Sequence, residues 1–288
     1  MLNIGIVGAE NSHTAAIAKV LNVEKRVRGV RVTHVWGETK AFAEAAAEAG
    51  QIPHIVKRPE DLIGEVDAAC VDHRHGKYHL PAASSLLEAR IPLFIDKPFS
   101  YRKAEGKRFL NRARELGVPV CSFSTLPKQA SYKAFAKKMR DLGTIQSLVA
   151  TGPCDIKSKW GGIFFYGIHQ VDMILRLLGY DISHVDICRG KGQNHTAQIA
   201  YANGTVATMN LVGGASAAFH LSAIGEKGRL DEPIVSDSSS YLTGIRDFCR
   251  MFRTGKTSET DESMLGPVAV LEALEKSIAR RAQVRVTL

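Results

Sequence analysis

Long apolar runs are missing from this 288-residue chain, and cysteine and aromatic residues are scarce. No stretch approaches the about 18 consecutive apolar residues that a membrane-spanning helix needs, and the first residues have a β-strand pattern instead of a signal-peptide pattern. The five cysteines are odd in number and far apart, which argues against a disulfide framework. We therefore expect no membrane partner, a cytoplasmic location and reduced thiols.

A clustered positive charge is also absent, although the formal net charge is +9. The basic residues are spread over helix faces and do not form a stripe with interleaved aromatic side chains, as nucleic-acid-binding proteins require. We therefore expect no nucleic-acid partner, and the charge favours an anionic small ligand instead. The composition of 45% hydrophobic and 23% charged residues suits two domains, each with its own core.

The first 122 residues alternate between strand and helix patterns. Strand patterns cover residues 2–8, 30–36, the vicinity of 55, 67–71, 91–97 and 118–121, with helical patterns between them. Alternation of this kind is typical of a parallel sheet covered on both faces. We therefore predict an α/β fold for residues 1–122, a Rossmann domain with a doubly wound parallel sheet.

After about residue 122 the pattern changes to two helices, near 128–142 and 165–178, among several strands. The strand candidates are 146–151, 184–188, 196–201, 205–211 and 217–224, and Asn203-Gly204 is typical of a hairpin turn. Helices near 241–252 and 263–281 and a final strand at 283–288 follow. Residues 123–288 are thus predicted to form an α+β domain with a largely antiparallel open sheet. The open sheet leaves one face uncovered, and because uncovered apolar sheet faces commonly pair with a partner, we expect a homo-oligomer, either a dimer or a tetramer.

Two motifs carry the residue types of a catalytic site. Asp96-Lys97-Pro98 ends a buried-type apolar run, and side chains at the carboxyl end of a parallel strand point into the crevice where such sheets bind ligands. In the second motif, residues 161–172, His169 and Asp172 are one helical turn apart on the same helix face. A cation can stabilise an oxyanion and a histidine can accept a proton, so both motifs suit acid–base chemistry.

The turn after the first strand departs from the dinucleotide fingerprint G-x-G-x-x-G. Residues 8–13 read Gly-Ala-Glu-Asn-Ser-His and keep only the first glycine. Glu10 would bring a carboxylate close to the two phosphates unless its side chain swings outward. Ser12, His13 and Thr14 still offer hydroxyls, an imidazole and backbone N–H groups to an anion, although Ser12 serves equally well as an N-cap.

The end of the second strand leaves the choice of nicotinamide cofactor open. Glu38 stands one position after the place of the usual ribose-binding acid, and it suits NAD. Thr39 and Lys40, which follow it, suit the 2′-phosphate of NADP instead. The sequence supports both cofactors.

A polar segment, Asp72-His73-Arg74-His75, follows the fourth strand. Histidine and aspartate are zinc ligands. No second set of ligands with metal-binding spacing lies nearby in the sequence, however, so we expect no metal. Arg74 could bind an anionic group of a substrate.

Trp160 is either a platform for a sugar or a core anchor, and Tyr166 is either a hydrogen-bonding group or a packing residue.

Together, the Rossmann half and the two motifs resemble the glucose–fructose oxidoreductase, inositol dehydrogenase and rhizopine catabolism (Gfo/Idh/MocA) family. The resemblance implies hydride transfer between NAD or NADP and a hydroxyl carbon of a sugar, cyclitol or related polyol. It implies that Lys97 holds the substrate hydroxyl, that His169 accepts its proton, and that Asp172 fixes the imidazole or binds a substrate hydroxyl. The cofactor contacts it implies are Gly8, Asn11, Ser12, His13, Glu38, Asp72, His73, Asp96 and Lys97; the substrate contacts are Arg74, Trp160 and Tyr166.

Some residues differ from the family pattern. Asp96 replaces the usual glutamate of the triplet, and Phe165 stands where the family often has an aspartate, four residues before the histidine. These differences keep two other functions open. One is a redox-silent regulator that binds a sugar or a nucleotide, and the other is a lyase or epimerase that recycles a tightly held cofactor.

Overall fold

The computed structural model describes residues 1–215 and 218–287, which divide into two compact units. The first unit contains residues 1–100, 104–123 and 241–260. The second contains residues 101–103 and 124–240 and the chain after residue 260. A single division at residue 122 would assign 241–260 to the second domain, whereas this segment lies in the first unit.

The first unit contains a six-stranded sheet in the order β3-β2-β1-β4-β5-β6, in which all pairings are parallel. Its strands are β1 (Leu2–Val7), β2 (Val30–Trp36), β3 (His54–Ile55), β4 (Ala68–Val71), β5 (Leu93–Ile95) and β6 (Val120–Cys121). Its helices are α1 (Ser12–Ala18), α2 (Lys40–Gly50), α3 (His79–Glu88), α4 (Lys103–Leu116) and α7 (Leu242–Thr254). The predicted doubly wound Rossmann sheet is confirmed.

Strands β4 and β5 are completely buried, as expected for central strands with helices on both faces. Helix α7 packs an apolar face against this core, where the rings of Phe94 and Phe248 are stacked with centroids 4.7 Å apart. Late apolar residues of the chain therefore complete the core of the first unit.

The second unit contains a seven-stranded sheet in the order β12-β11-β7-β10-β9-β8-β13. Its strands are β7 (Ile145–Pro153), β8 (Ile182–Arg189), β9 (Asn194–Tyr201), β10 (Val206–Val212), β11 (Phe219–Gly225), β12 (Gly228–Ile234) and β13 (Val284–Arg285). Its helices are α5 (Ala130–Met139), α6 (Ile163–Leu178) and α8 (Asp261–Arg280). Only β7 and β10 pair in parallel, so the prediction of a largely antiparallel sheet is confirmed.

Three strand predictions in this unit need correction or comment. Strand β12 was not predicted, because its residues are largely charged and include Pro233. It is an edge strand that pairs only with β11, and edge strands tolerate both features. The predicted strand 217–224 begins at Ala217, which lies outside the described residues, as does Leu288 at the end of the predicted last strand.

One face of the seven-stranded sheet is buried beneath α6 and α8, and the other is half exposed. The half-exposed face was expected to be apolar, but a row of adjacent positions across it carries Cys188, Thr196, Asn210 and Thr151.

Within the described residues no helix combines the length and apolarity that a bilayer crossing requires. The five cysteines, all of them described, form no disulfide with one another, and Cys188 is the exposed one among them.

Candidate active site

The carboxyl ends of β1, β4 and β5 lie side by side in the first unit and carry most of the predicted cofactor residues. Gly8 follows β1, Asp72 and His73 follow β4, and Asp96 and Lys97 follow β5. Because these three parallel strands are neighbours, side chains distant in sequence meet at one sheet edge.

The turn at Gly8 requires glycine for two reasons. Its φ of 106° lies in a region that L side chains rarely adopt, and a Cβ there would lie 2.7 Å from the backbone nitrogen of His73. The following helix is capped by Asn11, whose side chain accepts from the backbone N–H of His13. Ser12 is therefore the exposed first residue of α1 and not its N-cap.

Glu38 directs its carboxylate at this turn. Its Oε2 accepts hydrogen bonds from the backbone N–H groups of Ala9 and Glu10, at 2.8 and 2.9 Å. Its Oε1 is buried and has no hydrogen-bond partner. A buried carboxylate oxygen without a donor is costly, so this atom suits a ligand that brings a hydroxyl.

A buried polar network joins the ends of the three strands. The Asn11 amide nitrogen donates to Asp72 Oδ1 at 3.3 Å and to Asp96 Oδ2 at 3.1 Å. The Thr14 hydroxyl lies 2.7 Å from Asp72 Oδ2, and His13 Nδ1 lies 3.1 Å from Asp96 Oδ2. The sequence indicated these residues individually, Thr14 as a hydroxyl offered to an anion, but it did not indicate the network.

The two carboxyl groups of this network have opposite pKa shifts. Burial and the neighbouring Asp96 raise the pKa of Asp72 well above its ordinary value. Burial alone would also raise the pKa of Asp96, but the charges of His13 and Lys97 lower it below its ordinary value. The two shifts favour the protonated form of Asp72 and the charged form of Asp96. Lys97 Nζ lies 3.8 Å from Asp96 Oδ2.

The raised pKa of Asp72 makes the stability of the fold dependent on pH. A carboxyl with a raised pKa in the folded protein stabilises the fold at acid pH and loses that contribution as pH rises through the folded pKa. The Asp72→Asn variant, whose side chain resembles the protonated acid, should therefore have the same melting temperature as wild type near pH 4 and a melting temperature about 2–4 °C higher than wild type at pH 8. Melting curves of both proteins across this range test it, and a difference that is constant with pH would contradict it.

The histidines after β4 have different environments. His79 is fully buried, and its two ring nitrogens lie 2.8 Å from the carbonyl oxygens of His73 and Pro98. It thereby ties the loop after β4 to the loop after β5. Burial lowers the pKa of His73 to about 4, and His73 Nδ1 is buried without a partner. Arg74 is exposed.

The strand ends also bring three possible metal-binding side chains together. His13, Asp72 and Asp96 each offer one ligand atom, and these three atoms lie within 4.8 Å of one another. The carboxylate oxygens, however, already accept hydrogen bonds from the Asn11 amide and the Thr14 hydroxyl. This arrangement fits a proton-sharing carboxyl pair better than a cation site.

In the second unit, helix α6 carries the predicted histidine. Gly162 precedes its first residue with a φ of 59°, and a Cβ there would lie 2.9 Å from the carbonyl oxygen of Ile156. The glycine thus allows the preceding loop to turn into the helix. His169 and Asp172 are both buried, at 9% and 3% exposure.

The imidazole of His169 is held by a serine that the sequence did not indicate. His169 Nδ1 lies 2.8 Å from Ser124 Oγ. The Asp172 carboxylate instead accepts from the backbone N–H of Ser124 at 3.3 Å and from Arg176 Nε at 2.8 Å. Asp172 thus holds the backbone of the serine that contacts the ring, and its role in fixing the imidazole or binding a substrate hydroxyl stays a prediction.

Two aromatic side chains predicted to meet substrate lie near the start of α6. Tyr166 is 40% exposed, and its ring makes an edge contact with His169 at 5.7 Å between centroids. Trp160 is half buried, with the Lys159 ammonium 4.6 Å from its ring centroid. Tyr166 is thus beside the histidine, whereas Trp160 contacts Phe165, at 6.4 Å between centroids.

Residues 2–123 match a family model described as "Oxidoreductase family, NAD-binding Rossmann fold". Among curated proteins, none matches the sequence. Solved structures share the fold over the whole chain at low identity. GenD2 from gentamicin A biosynthesis, in complex with NAD, has a TM-score of 0.88 and 16% identity, and the match covers 100% of this chain and 97% of that one.

Two inositol dehydrogenases from Lactobacillus casei have the same fold. The myo-inositol enzyme, solved with NAD(H) and myo-inositol, has a TM-score of 0.85 and 17% identity over 100% of this chain and 97% of its own. The scyllo-inositol enzyme, solved with NAD(H) and scyllo-inositol, has a TM-score of 0.85 and 15% identity over 99% of both chains. The matched segment, residues 2–123, thus resembles the Rossmann part of the Gfo/Idh/MocA oxidoreductase family.

Proposed function

We propose that this protein is an NAD-dependent dehydrogenase that oxidises a CH–OH group of a sugar, cyclitol or related polyol. The observation that carries the proposal is the carboxylate of Glu38, whose Oε2 accepts from the turn after β1 while Oε1 is buried without a partner. The family match and the fold shared with NAD-bound dehydrogenases support it.

The residues of the first unit fit a nicotinamide dinucleotide. Glu38 Oε1 suits a ribose hydroxyl, and its negative charge opposes the 2′-phosphate that distinguishes NADP. The glycine at position 8, where a Cβ would meet backbone atoms, allows the close turn that precedes a dinucleotide site. We therefore favour NAD over NADP, and we assign this choice to Glu38 instead of Thr39 and Lys40.

Alcohol oxidation removes a hydride from carbon and a proton from oxygen. NAD, when bound, supplies the hydride acceptor. Lys97 places an ammonium group beside the substrate oxygen and stabilises the negative charge that develops there. Asp96, 3.8 Å from Lys97 Nζ, orients that ammonium group. His169 takes the hydroxyl proton at Nε2, the ring nitrogen opposite the one that contacts Ser124.

Glu38→Gln tests the cofactor assignment. Loss of the charge should weaken NADH binding about 10-fold to 100-fold, because a hydrogen bond to a charged group contributes about 1.5–3 kcal/mol. NADPH should bind wild type more weakly than NADH, and the variant should reduce that preference. Calorimetric titration measures both, with Glu48→Gln on the exposed side of α2 as the matched control.

The same titration decides the proposed function. Micromolar binding of NADH by the wild-type protein, followed by NADH formation with a polyol, supports it. Failure to bind either dinucleotide, in protein shown to carry none from purification, would remove the dehydrogenase assignment. Binding without turnover of any polyol would favour a redox-silent regulator.

We also propose that the protein is a homo-oligomer, a dimer or a tetramer. The half-exposed face of the seven-stranded sheet, with its row of Thr151, Asn210 and Thr196, is the surface to examine. Light scattering coupled to size-exclusion chromatography measures the state, and a mass of one chain at micromolar concentration would contradict the proposal.

A further inference from the structure

Ser124 occupies a constrained position in the second unit. It is 1% exposed and follows β6 by three residues. Its Oγ lies 2.8 Å from His169 Nδ1 and accepts a hydrogen bond from the backbone N–H of Leu126 at 3.2 Å. One hydroxyl thus joins the proposed proton acceptor to the backbone of its own loop.

The backbone of Ser124 is held as well as its side chain. Its N–H donates to Asp172 Oδ2, while Asp172 Oδ1 accepts from Arg176 Nε. Asp172 and Arg176 are four residues apart and form an ion pair along α6, the helix that carries His169. The same helix therefore presents the imidazole and anchors the residue that contacts it, so the relative position of the ring and the hydroxyl is determined by one rigid element.

We infer that Ser124 is a positioning residue that holds the His169 ring through both halves of its proton-transfer cycle. This inference rests on the proposed function, in which His169 exchanges a proton with substrate. A serine hydroxyl both donates and accepts hydrogen bonds. It therefore remains bonded to Nδ1 whether that nitrogen carries a proton or not.

The two arrangements have different uses. When His169 Nδ1–H donates to Ser124 Oγ, the neutral ring has its lone pair at Nε2 and can accept a proton from an alcohol. The imidazolium formed in this way keeps the same hydrogen bond from Nδ1–H to Oγ, and in the reverse direction it returns its Nε2 proton to a carbonyl oxygen and becomes neutral again. When the Ser124 hydroxyl donates to Nδ1 instead, the proton of the neutral ring is on Nε2 and the ring cannot act as the base there, so the hydrogen bond to Ser124 selects the useful tautomer.

The first test measures the ring directly and needs no cofactor. In the full chain labelled with ¹⁵N-histidine, the signals of His169 are assigned by their loss in His169→Gln. Ser124→Ala should shift both ring nitrogen signals of His169 and change the tautomer populations. Ser131→Ala, which removes another hydroxyl of the same unit, should leave them in place. Unchanged His169 signals in Ser124→Ala would overturn the inference.

The second test separates binding from chemistry. Ser124→Ala should lower kcat about fivefold to tenfold and change KM less than about twofold, because one hydrogen bond to the ring is lost while substrate contacts remain. Ser124→Thr, which keeps the hydroxyl, should restore most of the loss. If the added methyl group prevents folding of Ser124→Thr, the kinetics of Ser124→Ala and the ring signals of His169 still test the inference. A fivefold to tenfold rise in KM with an unchanged kcat would overturn the inference.

These readouts distinguish the two proposals. If wild-type protein binds no NADH, the dehydrogenase assignment falls, yet the ¹⁵N signals still show whether Ser124 positions His169. If NADH binds and polyol is oxidised while Ser124→Ala behaves as wild type in both tests, the dehydrogenase assignment stands and the role of Ser124 is refuted.

Discussion

Replacement of Lys97 by methionine should lower kcat/KM for polyol oxidation by about a thousandfold. The ammonium group lies 3.8 Å from the Asp96 carboxylate at the end of β5, and its side chain is 11% exposed. Removal of a charged group that stabilises a developing oxyanion costs about 10²–10³ in rate, and removal of a group that also assists proton transfer costs more. Steady-state kinetics with NAD and the best polyol substrate measure this loss.

The affinity for NADH should change much less than the rate. Methionine keeps most of the length of the lysine side chain, and Glu38 and the Gly8 turn are unaltered. Lys107→Met, on the exposed side of α4, is the matched control and should behave as wild type in both assays. A Lys97→Met enzyme with turnover within threefold of wild type would show that another group performs the chemistry.

Replacement of Gly8 by alanine should destabilise the first unit by about 3–4 kcal/mol. A residue with a side chain at φ 106° is strained, and its Cβ would lie 2.7 Å from the nitrogen of His73 and 2.8 Å from the carbonyl carbon of Asp72. Left-handed backbone costs about 1–2 kcal/mol for an L residue, and overpacking against backbone adds about 1–3 kcal/mol. Denaturant titration followed by tryptophan fluorescence measures the change, since Trp36 lies in β2.

Gly64→Ala separates the two causes. Gly64 also has a positive φ, 88°, but no atom lies within 4 Å of its added Cβ. It should therefore show only the backbone cost, about 1–2 kcal/mol. Equal losses at both positions would mean that the contact with the loop after β4 contributes nothing.

Periodic features of the chain were predictable because they depend on local patterns. Strand β2 was predicted at Val30–Trp36, as observed, since four of its seven residues are β-branched. Helix α2 ends at Gly50, and its left-handed C-cap is Gln51, a residue that carries no such signal in the sequence. Strand β12 was missed because its charged residues and proline are compatible with a strand only at a sheet edge.

Site residues were predictable only where a motif carried them. Lys97 and His169 belong to recognisable sequence patterns, and Glu38 follows a strand end. The sequence indicated Thr14 only as a hydroxyl for an anion and did not indicate Ser124, because a single serine or threonine near a helix or strand end usually caps or solvates it. Their partners, 58 and 45 residues away in the chain, become neighbours only after folding.

The sequence by itself determined the Rossmann sheet, the mixed second sheet and the resemblance to the family, because strand and helix periodicity and short motifs are local properties. Only the tertiary structure decided that the pKa values of Asp72 and Asp96 shift in opposite directions, that Glu38 leaves one oxygen without a donor, and that Ser124 holds His169. These properties depend on burial and on distances between chain segments, and a buried polar group acquires its charge and orientation from neighbours that the linear order does not reveal.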